Sequence, residues 1–577
     1  MRGASSIVVT VLLMARAASG RDPAILVSPE APTTRRPVRV LAVSDRPVDG
    51  TLAFMAPGGA RLAATDERRG GPPWWWYVDA TPTVDGVHRA CLEGTCVDVA
   101  VGAPSSRPAG VWPVSRDWDA AMEALYSAWV EKLFDDPLDA EPSWPSLDAV
   151  TGDPARNFLH DHLGLGEDGP HGLRLRPDCA DLPYFLRAYF AWKLGLPFGW
   201  SACSRGEGGQ PPRCSGWRSN VDAVRDGGNA LAQMQVFFAR DVAWGVQSGA
   251  GRASAEDDRT DFYPTRLSIE TLSPGTVYAD PYGHTLVLVR RIPQTPSSPG
   301  LLLAVDAQPD GTVARKRYWR GNFLFALDPA LGSAGFKHFR PIVRTGRALR
   351  PLSNREILLR PDWGDYSLEQ YQSDVDGFYD RVESVLSPEP VDPAVAFRAA
   401  IDALDEQIRT RIRAVANGEA YVATHAATVP MPEGAAIFET TGPWEDYATP
   451  ARDLRLLIAI DVVRGFPAKA ARRPDAPPDL AARLDATLRD EASARRFDYE
   501  RSDGSPWTLT LGDVLSRADA FEAAYDPNDC VEVRWGAPDD GDERATCQRR
   551  APAEQRAQME GYRSWFRESR RPVRGER

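Results

Sequence analysis

From Ala24 to about Gly102 the chain alternates apolar and polar residues in short runs: "AILVS", "VRVLAVS", "GTLAFMA", "WWWYVDA" and "GVHRACLEGTCVDVAV". A period of two, broken by Pro and Gly, predicts a small antiparallel β-sandwich over 21–102. The run "GAPSSRPAG", Gly102–Gly110, reads as a linker. After it the period lengthens to about 3.6 in "RDWDAAMEALYSAWVEKLF", so a second domain opens with helix. A long apolar helix follows in "LPYFLRAYFAWKLG", and a further helix-like run in "NALAQMQVFFARDVAW". The strands "TRLSIETL", "GTVYA", "GHTLVLVRR", "GLLLAVDAQ" and "TVARKRYW" then predict an α+β domain over 111–350. From 360 to 577 the pattern is mostly helical. Asp392 can cap and Pro393 open a helix whose face carries Phe397, Ile401, Leu404, Ile408 and Ile412.

Length adds that 577 residues exceed one core. The first twenty residues have Arg2, a short apolar run from Ile7 to Met14, and small residues near a cut site. They predict a signal peptide over 1–20 and an exported protein, periplasmic or extracellular. No later stretch is long and apolar enough for a transmembrane segment. The formal charge of -12 argues against nucleic acid or anionic lipid as a main partner.

Export changes the meaning of the seven cysteines. Cys91 with Cys96, Cys203 with Cys214 and Cys530 with Cys547 are sequence neighbours that can pair as disulfides. Cys179 is then the odd thiol, either reactive or buried and inert. The run "PPWWWYV" offers either an aromatic platform for a sugar or core tryptophans, with Trp75 on one face and Trp74 and Trp76 on the other; core is the expectation.

A thiol attacks as thiolate and needs a base nearby. In "PDCADLPYFLRAYF", Asp178 can cap a helix whose first turn holds Cys179 and whose N–H groups can bind an oxyanion. Pro183 moves the helix start later, and the Asp181 carboxylate opposes a neighbouring thiolate. Among the histidines, His88 sits in the sandwich and His425 in the helical region, where either can be a surface residue. His160 and His162 in "RNFLHDHLG" sit two apart in a helical context and point away from each other, so no metal site is expected there. His284 in "ADPYGHTLVLVRR" starts a strand after a Tyr-Gly turn. On the next strand Asp306, with Gln308 two residues on, can lie beside it and orient the imidazole.

The order of Cys at a helix start, then His and a polar residue on successive strands, resembles the papain-like superfamily. More narrowly, "PDCADLPYFLRAYFAWKLGLPF" followed by "LSPGTVYADPYGHTLVLV" resembles the NlpC-type cell-wall cysteine peptidases, with Ala180 and Asp181 where their pattern has Ser-Gly. The segment "LRAYFAWKLGLPF" and an Asp as third member are also similar to the transglutaminase-like branch. The 21–102 segment resembles bacterial immunoglobulin-like modules. These resemblances imply an immunoglobulin-like sandwich, a papain-like α+β catalytic domain and a helical C-terminal domain. They further imply a cysteine hydrolase with Cys179 as nucleophile, His284 as base then acid and Asp306 as orienter, without cofactor or metal. Its substrate would be a peptide, plausibly a cell-wall peptide. Acyl transfer to an amine and an inactive envelope binding module are the alternatives.

Overall fold

The computed structural model describes residues 22–574, except 225, 226, 347, 361, 440, 441, 474 and 475. The predicted signal peptide lies outside the described residues. The chain divides into two compact units, with the boundary after Pro104.

In the first unit the alternation resolves into two four-stranded antiparallel sheets. One orders Ala24–Ser28, Val38–Ser44, Trp74–Ala80 and Arg69–Gly70; the other Arg61–Thr65, Leu52–Met55, Gly86–Leu92 and Thr95–Val101. Val40, Ala42, Trp76 and Val78 of the first meet Leu52, Phe54, Ala90 and Leu92 of the second in one core. Trp75 and Trp76 are both buried and Trp74 packs on the core, so the aromatic run is wall and not platform. Cys91 and Cys96 are directly opposed across the hairpin and bonded. His88, a candidate surface residue in the sequence, is fully buried and stacks on Phe54, because the period of two turns it inward beside Ala90 and Leu92.

The second unit is built on a seven-stranded antiparallel sheet. Its order is Phe262–Pro264, Gly335–Phe339, Val277–Ala279, Thr285–Ile292, Leu301–Ala307, Val313–Arg317 and Ser143–Trp144. The helices Ala120–Leu133 and Leu182–Leu194 pack against the central Thr285–Ile292 strand. Every residue of the second helix is buried, which explains its unbroken apolar run. Its two charges are matched inside the protein: Arg187 forms a double contact with Glu123, and Lys193 sits between Glu167 and Asp168. Such pairs fix an arrangement, since removing one partner strands a buried charge. The helix stops at Gly195, where φ is 66° and a Cβ would lie 2.6 Å from Ser115 Oγ.

Two local expectations fail. The predicted strand "TRLSIETL" is not formed, the strand here being Phe262–Pro264 just before it; the Ser268 N–H donates to Thr271 Oγ1, whose hydroxyl donates back to the Ser268 and Arg266 carbonyls and closes turns. The segment around His160 and His162 is a series of turns and not helix, with the Asn157 carboxamide accepting the Leu159 N–H.

The helical region belongs to the same compact unit as the sheet. Its long helix, Pro393–Thr424, is capped by the Asp392 side chain and buries Phe397, Ile401, Leu404 and Ile408, with Ile412 half-buried. That face packs on Pro450–Ala471. Tyr282, Trp319 and Leu324 reach into the same core from the sheet side. Cys203 bonds Cys214 and Cys530 bonds Cys547, as their spacing predicts, and Cys179 alone among the described cysteines is free. No helix among the described residues is long and apolar enough to cross a membrane.

Candidate active site

Cys179 lies in a tight turn just before the buried helix. Asp178 builds that turn: its carboxylate accepts the N–H groups of Ala180 and Asp181, and its carbonyl accepts that of Leu182. The helix proper begins at Leu182 with Asp181 as its cap residue, so Cys179 precedes the first turn and does not sit in it. Pro183, which has no N–H to donate, is accommodated where none is required. With its neighbours' donors taken by Asp178, the Cys179 N–H has no acceptor among the described residues. The Thr285 hydroxyl donates to the Cys179 carbonyl and ties this turn to the start of the Thr285–Ile292 strand.

His284 is set by the turn in front of it. The Asp280 carboxylate accepts the N–H groups of Tyr282 and His284, while the Asp280 N–H donates to the His284 carbonyl. Gly283 is required here, with φ at 99° and Ser248 Oγ 3.0 Å from where a Cβ would stand. Behind the turn, buried Arg252 donates to the carbonyls of Pro281, Leu331 and Arg205. The thiol approaches the same turn, with Sγ 3.9 Å from the Gly283 carbonyl.

Asp306 reaches His284 from the adjacent antiparallel strand. Its Oδ2 lies 3.1 Å from His284 Nε2 and accepts from Gln308 Nε2 at 3.0 Å, and Lys316 Nζ is 3.9 Å from Oδ1. With Nε2 engaged, Nδ1 is the nitrogen left for Cys179. About a fifth of the His284 side chain is accessible and almost none of Asp306.

The charges reinforce one another. Burial alone would depress the His284 imidazole, but the Cys179 sulfur and Asp306, by charge and hydrogen bonding, push it up to about 10. Burial works against ionisation of Asp306 too, yet Lys316 and His284 hold its carboxyl below the usual range. Burial, and then Asp178, push Asp181 up to about 8. Asp181 is therefore mostly protonated at neutral pH, which weakens the repulsion expected between it and a thiolate.

No family model, curated protein or solved structure matches the chain.

The structure brings Cys179, His284 and Asp306 together. The other histidines are elsewhere: His425 is exposed at the end of the long helix, His171 is exposed, and His338 pairs with Asp365. Neither cluster of potential metal ligands among the described residues includes His160 or His162; one is the Asp161, Glu167 and Asp168 group, where Lys193 already supplies the positive charge. Two hollows, one beside Trp118 and Arg340 and one beside Val224 and Asp241, contain none of the three residues. Sequence reasoning missed Thr285, Lys316 and Arg252. Thr285 had a signal, as the residue after His284 on the strand, and so had Lys316, on the strand that follows and pairs with that of Asp306; Arg252 comes from a distant segment that leaves no local pattern.

Proposed function

We propose that the chain is an exported cysteine hydrolase that cleaves an amide bond through an acyl-enzyme. The observation that carries this reading is His284, held by Asp306 at Nε2 and offering Nδ1 to the one free thiol. In this mechanism Cys179 and His284 rest as thiolate and imidazolium. Sγ attacks the substrate carbonyl carbon, and the oxyanion is met by the unused Cys179 N–H. The imidazolium gives its Nδ1 proton to the leaving nitrogen, the C–N bond breaks and a thioester remains. Water then attacks, giving a proton to His284, and the thiolate departs.

Support comes from order as well as distance. Cysteine before a helix, histidine at a strand start and a carboxylate on the next strand are the arrangement of papain-like enzymes, and the NlpC-type resemblance suggests a cell-wall peptide. The first unit's paired sheets would then be an immunoglobulin-like accessory module. Acyl transfer to an amine would use the same thioester and differ only in the acceptor.

Thiol labelling tests the reading. Mature protein unfolded without reductant should show one reactive thiol, mapping to Cys179. The native protein should be alkylated there rapidly at pH 6, well below the usual thiol pKa of about 8.5. Cys179 found in a disulfide, or alkylated only as fast as a simple thiol, would end the proposal and leave a binding module.

A further inference from the structure

The helical region closes on the turn that carries His284, and it brings arginines. Arg571, just beyond the Ala553–Arg567 helix, has its guanidinium carbon 5.3 Å from the ring centroid of Tyr282 and the same distance from Phe438. Tyr282 is two residues before His284 and bonds the same Asp280 carboxylate. Arg455 projects from Pro450–Ala471, where burial and then Arg571 weaken its hold on a proton while Asp280 and Asp306 favour its charge.

Neighbouring cations have partners: both terminal nitrogens of Arg252 donate to carbonyls, with its Nε left over, and Arg574 pairs with Glu439. The guanidinium groups of Arg455 and Arg571 have no carbonyl or carboxylate partner among the described residues. The Nε of each is buried without a hydrogen-bond partner, and neither forms an ion pair among the described residues. Asp280 Oδ2 and Asp306 Oδ1 are buried and unbonded in the same neighbourhood. Two like charges held near each other, partly out of water and unpaired, are costly unless an anion joins them. A carboxylate is the group that the planar guanidinium fork fits.

We infer that Arg455 and Arg571 form the specificity wall of the thiol site, holding a carboxylate of the substrate beside the bond to be cleaved. The inference rests on the thiol-enzyme reading, so the test must separate the two. Iodoacetate and iodoacetamide do so, since both alkylate a thiolate with loss of iodide and are nearly the same size, while only the first carries a carboxylate. In the wild-type full chain at pH 6, Cys179 should react faster with iodoacetate. Arg455→Gln and Arg571→Gln should each reduce the iodoacetate rate by roughly 3- to 10-fold, one partly screened charged contact, and leave the iodoacetamide rate unchanged. Arg455→Lys should keep part of the preference. The iodoacetamide rate reports that each variant is folded and its thiol active, and the two variants remove cations from two different segments of the chain. Equal changes with both reagents, or none with either, would show that the arginines serve only packing and would overturn the inference. Slow labelling of the wild type by both reagents would instead overturn the thiol-enzyme reading beneath it.

Discussion

The second unit contains two histidine–carboxylate pairs on one sheet, and only one of them faces a free thiol. His284 meets Asp306 at 3.1 Å, and His338 meets Asp365 at 2.6 Å; the two rings are similarly accessible. At His338, however, the other nitrogen is used: Nε2 lies 2.9 Å from the Thr271 carbonyl and 3.2 Å from Thr276 Oγ1. Tyr263 and Thr265 also donate to Asp365. That pair is saturated and holds strands and turns together. His284 keeps one nitrogen for Cys179. A histidine beside an aspartate is thus a structural clamp until a third group leaves one ring nitrogen free to move a proton.

The largest contrast should come from removing the rings. Cys179→Ala and His284→Ala should each abolish turnover, with the double variant no worse than either, because the residues act as one unit. His338→Ala should leave alkylation of Cys179 at pH 6 unchanged while lowering the melting temperature. Loss of labelling in both histidine variants would dissolve the distinction.

Exchanging the carboxylates should give a smaller difference. In a resting ion pair both His284 nitrogens carry protons, so an Asn carbonyl can accept from the imidazolium. Asp306→Asn should keep much of the activity, and Asp306→Ala should lose more. Asp365→Asn should cost about 1–3 kcal/mol of stability, read from denaturant midpoints, with no change in kcat/KM. Equal, full activity in all the Asp306 variants would make Asp306 a bystander and turn attention to Gln308 or Asp280.

Titration separates the pairs further. The raised His284 value places an alkaline limb of activity near pH 10, where the proton for the leaving group is lost. Both histidines bind protons more tightly folded than unfolded. Their stabilisation is therefore complete below about pH 6.5 and is lost as pH rises through the folded values, near 10 for His284. His338→Gln should remove its share of that slope without moving the activity limb. A limb near pH 6.5 would mean that His284 works as a neutral base.

The smallest effect concerns Asp181. Its folded carboxyl titrates near 8 and the unfolded one near 3.9, so the native state loses stability as pH rises between them. Asp181→Asn should flatten that stretch and raise the melting temperature modestly at pH 7, leaving iodoacetamide labelling at pH 6 nearly unchanged. A fall in stability at pH 7 would mean that Asp181 is charged in the native protein.

Much of this was legible in the chain. Short Cys spacings named three bonded pairs, and parity left Cys179. A period of 3.6 placed Phe397, Ile401, Leu404 and Ile408 on one buried face. His284 and Asp306 were readable as strand neighbours because a strand start and a strand end face each other across an antiparallel pair. The segment after Pro264 misled, because Ser268 and Thr271 offered hydroxyls that compete with ladder bonds. The place of His88 stayed open because burial of a histidine depends on the sheet that covers it.

The sequence by itself determined what is local: periods, caps, turn glycines and disulfide neighbours, all set by residues a few positions apart. Only the tertiary structure decided which histidine has a free nitrogen, that desolvation leaves Asp181 mostly protonated, and that Arg455 and Arg571 stand unpaired beside the His284 turn. The physical reason is range. Backbone geometry and side-chain period act along the chain, whereas desolvation and charge act through space on whatever the fold brings near.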